Sequence, residues 1–153
     1  MKIIQLCALP AHGKSTYAAK LLLEISDCIV ISADSIRGEL NRNGDQSDQS
    51  NNYKIFNEII PDRIEVALTL GKVVILDNTA VNPKERRMGI EFGNKFNVPV
   101  ECHYFEPNLE QARIWNKLRA RQVPDFVFDK MLAKWQVPTM AEGFSKVINL
   151  SKA

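Results

Sequence analysis

The nine residues Ala8-Leu9-Pro10-Ala11-His12-Gly13-Lys14-Ser15-Thr16 decide how the rest of this chain is interpreted. They follow an apolar run, Lys2–Cys7, with the composition of a buried strand, and they precede a segment of helical periodicity. A strand, a turn that ends in Gly-Lys-Ser-Thr and a helix are the context in which phosphate-binding loops occur. Ala8 stands where such loops begin with glycine, and alanine is excluded there only if the backbone needs a glycine-only conformation. The stretch therefore predicts a polyphosphate site.

Each part of this loop has a predicted role in binding a nucleotide. The backbone N–H groups of Ala11–Gly13 and of the first helical turn converge on phosphate oxygens, and the helix dipole favours their charge. Lys14 can reach the β- and γ-phosphates, Ser15 can ligate Mg²⁺, and Thr16 can donate to an α-phosphate oxygen. The side chain of His12 is expected at the tip of the loop rather than in catalysis. ATP and Mg²⁺ are the predicted cofactors.

The composition is that of an ordinary globular protein, with 45% apolar and 25% charged residues in a chain of 153, and it predicts one domain over residues 1–153. No apolar run approaches the roughly 20 residues that cross a bilayer. The chain also lacks a signal-peptide pattern, so we expect a cytoplasmic protein without a membrane partner. Three widely spaced cysteines fit reduced core thiols, and two histidines argue against a dedicated metal site. The net charge of +2 permits a nucleic-acid partner without requiring one.

Short β-branched runs alternate with helical segments along the chain, which is typical of a parallel sheet covered by helices. The pattern predicts a three-layer α/β fold with a five-stranded parallel sheet and helices on both faces. The predicted strands are Lys2–Cys7, Cys28–Ser32, Lys72–Leu76, Pro99–Phe105 and Lys146–Leu150. The predicted helices span about 14–26, 53–70, 83–96, 108–121 and 125–135.

Two interruptions stand out in this pattern. Pro61 lacks a backbone N–H, so it is expected either to begin a new helical piece or to kink the second helix. Asn41–Asn52 has almost no apolar residues, so it is predicted to be a solvated loop that can order over a substrate.

The segment Lys72–Asp77 is a buried strand that ends in an acid, which delivers a carboxylate to the edge of the sheet where ligands bind in such folds. Asp77 is therefore a candidate Mg²⁺ ligand, acting through water. The alternative is an acid that caps the turn that follows. Asn78 and Thr79 come next and are expected to line the pocket.

Asp34 and Arg37 follow the second strand and share one face at the start of a helix. A carboxylate in this place can take the proton of an attacking hydroxyl, and an arginine can grip a phosphate of the acceptor. The alternative is an N-cap aspartate with a surface arginine.

Four cations, Arg113, Lys117, Arg119 and Arg121, lie on the segment that precedes Pro124. Cations stabilise the C-terminus of a helix in any protein. Beside a nucleotide loop, a mobile basic helix can also close over the γ-phosphate and neutralise developing charge. The aromatic residues of this region, Trp115 among them, are expected mainly in the core, with base stacking as the alternative.

The ordered set of motifs resembles the 5′-hydroxyl polynucleotide kinases, in phage enzymes and in the kinase part of the animal kinase/phosphatase. Besides the phosphate loop, Ser32–Arg37 is similar to the family's Asn-Arg-Asp-x-x-Arg, with Ala33 in place of the first arginine. The segment Leu76–Arg87 is similar to an Asp-Asn-Thr-Asn-Pro motif, with Ala80 where asparagine is common. Leu109–Arg119 resembles the lid, and Pro138–Phe144 resembles the motif before the last strand.

This resemblance implies a P-loop kinase fold that transfers phosphate from ATP to the 5′-hydroxyl of DNA or RNA. It implies Asp34 as the general base and Arg37 as a ligand of the acceptor's phosphate. The resemblance implies Arg119 as the lid arginine on the γ-phosphate, with Arg121 as a second candidate, and it implies Asn116 as a nucleotide-binding residue of the lid. The phosphatase motif Asp-x-Asp-x-Thr is absent from the sequence, so no phosphatase activity is expected.

Two other functions stay open on the sequence. The first is a kinase of the same fold that acts on a hydroxyl of a small molecule such as a sugar, a nucleoside or an antibiotic, for which Asp34 would serve equally well. The second is a nucleotide-binding module that regulates a partner without transferring phosphate.

Overall fold

Five parallel strands form the centre of the molecule. The computed structural model describes residues 1–41, 44, 46 and 48–152. Its strands are β1 (Ile3–Cys7), β2 (Cys28–Ser32), β3 (Val73–Asp77), β4 (Val100–Tyr104) and β5 (Lys146–Asn149). They pair in the order β2-β3-β1-β4-β5. All four pairings are parallel, so the predicted five-stranded parallel sheet is confirmed, and each predicted strand overlaps an observed one.

Seven helices connect these strands within the described residues. They are α1 (Lys14–Glu24), α2 (Ala33–Leu40), α3 (Asn52–Lys54), α4 (Ile60–Thr69), α5 (Pro83–Phe96), α6 (Leu109–Lys117) and α7 (Asp125–Lys134). A π-helical turn, Ile55–Ile59, joins α3 to α4, and 3₁₀ turns span Met140–Glu142 and Leu150–Lys152. No helix in the described part of the chain is both long and apolar enough to cross a bilayer.

Successive side chains of each strand point to opposite faces of the sheet, and a hydrophobic core lies on each face. On one face, Ile4, Leu6 and Ile75 pack against Ala18 and Leu21 of α1. On the other face, the strands pack against α2, α4 and α5, through buried residues that include Ile3, Val74, Leu76, Ile36, Ile64 and Leu68. This arrangement confirms the three-layer α/β fold.

The helix of residues 52–69 changes its winding before Pro61. The π-helical turn occupies Ile55–Ile59 and is followed without a break by α4, which has Pro61 in its first turn. The predicted interruption near Pro61 takes the form of a change from π- to α-helical winding within a continuous helix.

The structure differs from the predicted elements in one additional helix, one helix end and one loop end. The five helices predicted from periodicity omit α2, which is only eight residues long and follows β2 without a loop. The helix predicted over 108–121 ends at Lys117, because the side chain of Asn116 binds the backbone of Val123 and folds the chain back. In the predicted polar loop Asn41–Asn52, residues 42, 43, 45 and 47 lie outside the described residues, and Asn52 already belongs to α3.

Small residues let α5 lie close to the sheet. Gly89 and Gly93 are four residues apart, so they share the face of α5 that meets the strands. A Cβ atom at Gly93 would overlap the side chain of Val100 on β4. Glycine is required there by close approach, since its φ angle is not positive.

Candidate active site

The carboxyl ends of β1, β2 and β3 meet at one edge of the sheet, and a cavity of about 250 Å³ opens there. Ligands of parallel α/β folds bind at this edge. The cavity brings together residues from the phosphate loop, from the ends of β2 and β3, and from the segment after β4. Its lining is Leu9, Pro10, Ala11, Gly13, Lys14, Ser15, Thr16, Asp34, Thr79, Trp115 and Arg119.

The phosphate loop leads directly from β1 into α1. Ala8 is fully buried and donates its N–H to the carbonyl of Thr79 at 3.2 Å. Its φ angle is not positive, so the position that is usually glycine needs no glycine here. Gly13 is the N-cap of α1 with φ 85°, a left-handed conformation that glycine adopts without strain. Ala11 is left-handed too, with φ 60°.

Lys14 of the cavity lining forms an ion pair with Asp77 at the end of β3. The Nζ atom of Lys14 lies 3.0 Å from Oδ1 of Asp77, and both side chains are largely buried. The carboxylate at the end of β3 therefore points at the phosphate loop, which is the orientation that the metal-binding interpretation requires.

Asp34 reaches the same cavity from the first turn of α2. The N-cap of this helix is Ser32, whose Oγ accepts the N–H of Ser35 at 3.2 Å. The alternative of an N-cap aspartate with a surface arginine is therefore wrong. Arg37 is buried, and its Nη1 donates to Oδ1 of Asp34 at 2.6 Å, while the Asp34 side chain is 48% exposed.

Arg37 is itself held from two further sides. Its Nε donates to Oδ1 of Asn52 at 2.8 Å, and its guanidinium lies 5.9 Å from the ring centre of Phe56. These contacts come from α3 and the π-helical turn that follows it. Two of its three nitrogens are thus committed to protein partners, so Arg37 acts first as a support that orients the Asp34 carboxylate.

The segment after α6 carries Arg119 and Arg121 as a loop. Asn116 closes this loop, because its Nδ2 donates to the carbonyl of Val123 at 2.9 Å and its Oδ1 accepts the N–H of Val123 at 3.0 Å. Asn116 does not line the cavity, so its placement gives it a positioning role that the resemblance did not predict. Arg113 braces the same region by pairing with Asp125 and Asp129 of α7, at 2.9 and 3.2 Å.

Arg119 projects a cation into the cavity. Its Nη1 atom is buried and has no hydrogen-bond partner among the described residues. A buried, unpaired guanidinium N–H is costly, and such groups are normally satisfied by an anion or by water. Arg121 lies farther out, with Nη1 3.8 Å from Oδ2 of Asp34 and Nη2 3.3 Å from the carbonyl of Gln46. Arg119 therefore shares the cavity lining with Asp34, and Arg121 lies beside Asp34.

His12 does not lie at the loop tip, which corrects that expectation. The side chain is buried, with Nδ1 2.9 Å from the carbonyl oxygen of Pro10. Its Nε2 accepts the backbone N–H of Asn108, 2.9 Å away, immediately before α6. Any contact of His12 with phosphate is left to its backbone N–H.

A second cavity, of about 530 Å³, adjoins the first behind the phosphate loop. His12, Phe105, Asn108 and Gln111 line it, and Trp115 borders both cavities with 41% of its surface exposed. Trp115 is thus a cavity wall rather than a core residue, unlike Phe128, which is fully buried.

Arg86 and Glu142 form a buried ion pair that sequence reasoning missed. The fully buried guanidinium binds both carboxylate oxygens of Glu142, at 2.8 and 3.1 Å, and donates to the carbonyls of Ala80 and Gln136, at 2.8 and 3.0 Å. It therefore joins the turn after β3 to the chain that leads into β5. The partners are 56 residues apart, so no local pattern could reveal the pair.

Two buried polar residues of the strands, Gln5 and His103, form hydrogen bonds through their side chains. Gln5 of β1 donates to Oδ1 of Asn78 at 2.8 Å and thereby fixes the residue next to Asp77. On the α1 face, Tyr17, His103, Glu101 and Lys2 form a hydrogen-bonded series with distances of 2.6, 2.9 and 3.0 Å. Burial lowers the pKa of His103, so the ring is neutral at pH 7.

The donor set of the cavity fits a nucleoside triphosphate with Mg²⁺. Arg119 brings a cation to the cavity lining, and the loop presents Lys14 with the N-terminus of α1, so three positively charged groups are available to phosphate. The Ser15 hydroxyl and the Asp77 carboxylate are hard oxygen donors of the kind that Mg²⁺ prefers. The described residues contain no cluster of three or more His, Cys, Asp or Glu that could hold a metal ion.

A comparison with protein families matches residues 3–138 to the AAA domain. The chain belongs to the AAA domain family. The match runs from β1 through the whole of α7, so it includes every cavity residue described above.

This AAA domain is also similar to a bifunctional polynucleotide phosphatase/kinase of Schizosaccharomyces pombe, with 27% identity over 151 residues. That alignment covers 95% of this chain and 32% of the relative, so the chain spans about a third of the relative's length.

Solved structures share the fold of this AAA domain. The structure of the Pnkp1/Rnl/Hen1 RNA repair complex contains a chain that superposes with a TM-score of 0.74 at 14% identity, covering 87% of this chain and 43% of that one. A gluconokinase from Sinorhizobium meliloti 1021 superposes with a TM-score of 0.66 at 12% identity, covering 97% of this chain and 81% of that one. The similarity to polynucleotide kinases is confirmed, and kinases of other names have the same fold.

Proposed function

We propose that this protein is an ATP- and Mg²⁺-dependent kinase that transfers the γ-phosphate to the 5′-hydroxyl end of a polynucleotide, DNA or RNA. The observation that carries the proposal is the shared cavity of Lys14, Asp34 and Arg119, in which a potential base and two phosphate-binding cations converge. The similarity to a polynucleotide phosphatase/kinase over 95% of the chain supports the choice of acceptor.

The phosphate-binding roles in this proposal fall to the loop and the lid. The backbone N–H groups of Ala11, His12 and Gly13, with Lys14 and Thr16, bind the phosphates of ATP. Arg119, with Arg121 beside it, meets the charge that develops on the transferred group.

Ser15 and Asp77 would hold Mg²⁺, which would supply charge neutralisation at the phosphate oxygens. The 3.0 Å ion pair of Lys14 and Asp77 supports this assignment, because it holds the carboxylate at the end of β3 next to the phosphate loop.

Asp34 is the proposed general base. Phosphoryl transfer to a hydroxyl needs an acceptor for the hydroxyl proton, and the carboxylate of Asp34 reaches the cavity from the end of β2. The contact with Arg37, at 2.6 Å, fixes the direction of the carboxylate. The Oδ1 atom of Asp34 binds Arg37. Its Oδ2 atom lies 3.8 Å from Arg121 and is the oxygen proposed to accept the proton of the hydroxyl.

Asp34→Asn tests this role. We expect the variant to lower the turnover of phosphate transfer by roughly a hundredfold or more, because general-base catalysis contributes that much, with little change in the affinity for ATP. Transfer is measured with labelled ATP, and ATP binding is measured by calorimetry. Turnover like that of the wild type would remove Asp34 from the mechanism.

Asp27→Asn is the matched control for this experiment. Asp27 precedes β2 as Asp34 follows it, and it forms a similar pair with Lys72 at 2.9 Å, at the opposite edge of the sheet. We expect this variant to transfer phosphate at the rate of the wild type.

A screen of acceptors tests the substrate class. Labelled ATP is offered with 5′-hydroxyl oligonucleotides of DNA and RNA and, in parallel, with a sugar, a nucleoside and an antibiotic that carries hydroxyl groups. We expect label on an oligonucleotide, and its binding should weaken as the salt concentration rises.

The second candidate function, a kinase of a small-molecule hydroxyl, is favoured if only a small acceptor is labelled. Its support is that Asp34 can serve any hydroxyl and that the cavity is only about 250 Å³. A protein that binds ATP tightly and labels nothing would instead support a nucleotide-binding module without transfer.

A further inference from the structure

His12 connects the phosphate loop to the segment that carries Arg119. Its Nε2 accepts the backbone N–H of Asn108 at 2.9 Å, so the ring proton resides on Nδ1, which donates to the carbonyl of Pro10 at 2.9 Å. The side chain is 7% exposed, so water competes little for either hydrogen bond. The two loops that it joins are 96 residues apart in the sequence.

Asn108 is the residue from which α6 begins. Its Oδ1 accepts the N–H of Gln111 at 3.2 Å, and its carbonyl accepts the N–H of Ala112 at 2.9 Å. The nine residues of α6 form a rod of about 13 Å. A bond to the N-cap therefore fixes one end of a rigid element to the phosphate loop.

The other end of α6 sets the position of Arg119. Asn116 binds the backbone of Val123 through both atoms of its amide and so shapes the loop in which Arg119 lies. Arg113 ties the middle of α6 to α7. Because these contacts make one body of α6 and the loop, a shift of Asn108 moves Arg119 as well.

We propose that His12 is a positioning residue that locks the phosphate loop to α6, so that Arg119 stands over the terminal phosphate of a bound nucleoside triphosphate. This inference rests on the proposed function, since it needs a triphosphate in the loop. The loop amides and Lys14 contact phosphates of both ADP and ATP, whereas Arg119 meets only the terminal phosphate of ATP. Loss of the lock therefore weakens binding of a triphosphate more than binding of a diphosphate.

A matched pair of variants separates the lock from simple packing. In His12→Asn the amide stays near Pro10 but is too short to reach Asn108. In His12→Gln the amide oxygen reaches about as far as Nε2 and can accept the same N–H. Arg119→Ala serves as the reference, because it shows how much of the preference for a triphosphate is lost when the Arg119 cation is absent.

Binding of ADP and of a non-hydrolysable ATP analogue, both with Mg²⁺, is measured by calorimetry in the absence of any acceptor. We expect the wild type to prefer the triphosphate, and we expect Arg119→Ala and His12→Asn to lower that preference to a similar extent, by about tenfold. The affinity of His12→Asn for ADP should change little, and His12→Gln should retain the preference of the wild type.

Three results would overturn the inference. The first is a His12→Asn protein that keeps the preference of the wild type while Arg119→Ala loses it. The second is a folded His12→Gln protein with the low preference of Arg119→Ala, which decides the matter even if His12→Asn does not fold. The third is a wild type that binds neither nucleotide, which overturns the proposed function too. A negative screen of oligonucleotides leaves this test intact, because no acceptor is present in it.

Discussion

Ala11 has a left-handed backbone conformation, with φ 60°, in the middle of the phosphate loop. A Cβ atom in this region costs roughly 1–2 kcal/mol, because it crowds the carbonyl oxygen. The same strain occurs at Ala80, with φ 44°, where the polynucleotide kinases commonly have asparagine, a residue that adopts this region more readily. Each alanine therefore retains a conformation that its side chain disfavours.

We expect Ala11→Gly to raise the free energy of unfolding by about 0.5–1 kcal/mol, since the relief of strain exceeds the added entropy of the unfolded chain. Denaturant unfolding measures the change. Ala19→Gly is the control, because Ala19 lies exposed inside α1 with ordinary helical geometry, and there the same substitution should destabilise by about 1 kcal/mol. Equal effects at both positions would contradict the strain argument.

At the scale of elements, the pair Arg86–Glu142 joins α5 to the 3₁₀ turn before β5. Glu142 also accepts the N–H of Thr139 at 2.9 Å, so one carboxylate caps the turn and neutralises the buried cation. The contacts of Arg86 with Ala80 and Gln136 extend this junction to the turn after β3. The junction therefore fixes the turn that follows Thr79, a residue of the cavity lining.

Glu142→Ala should lower the free energy of unfolding by about 3–5 kcal/mol, because it leaves the guanidinium of Arg86 buried without its anion. Urea denaturation followed by circular dichroism measures the loss. Glu39→Ala removes the exposed pair with Arg63, whose N–O distance is 2.7 Å, and should cost less than about 1 kcal/mol. A loss at Glu142 as small as that at Glu39 would refute the role of the buried pair.

The elements themselves could largely be predicted from the sequence, because apolar periodicity and Gly-Lys-Ser-Thr are local signals. The sequence also predicts that Asp34 and Asp77 lie at the same edge of the sheet. Asp77 ends one strand, Asp34 comes shortly after another, and parallel strands end at one edge. The ion pair of Arg86 and the bond from His12 to Asn108 join residues 56 and 96 positions apart, and only the folded chain brings them together. The early end of α6 depends on one side chain, Asn116, which binds backbone beyond the helix.

For the whole molecule, the series Tyr17–His103–Glu101–Lys2 makes stability depend on pH. Burial lowers the pKa of His103 below its ordinary value of 6.5, although Glu101 opposes this shift. Burial raises the pKa of Glu101, but hydrogen bonds from His103 and Lys2 outweigh it and hold the pKa below 4.5. Both groups bind protons more readily in the unfolded chain, so protonation favours unfolding.

We therefore expect the stability from His103 to be complete above about pH 6.5 and to be lost as the pH falls through its lower folded pKa. Glu101 adds a further loss below pH 4.5. The free energy of unfolding, measured by guanidinium denaturation between pH 7.5 and pH 4, should fall less steeply near pH 6 in His103→Gln than in the wild type. Parallel curves would show that His103 does not cause the slope.

The pairing of Lys14 with Asp77 has a practical consequence for genetics. Substitution of the loop lysine by alanine is the usual way to inactivate a nucleotide-binding loop. In this protein, Lys14→Ala would leave the Asp77 carboxylate, whose side chain is only 8% exposed, without its cation. The phenotype of that allele would combine two effects, the loss of nucleotide binding and a lower amount of folded protein. The double allele Lys14→Met with Asp77→Asn removes both charges together, and it is the cleaner null for work in cells.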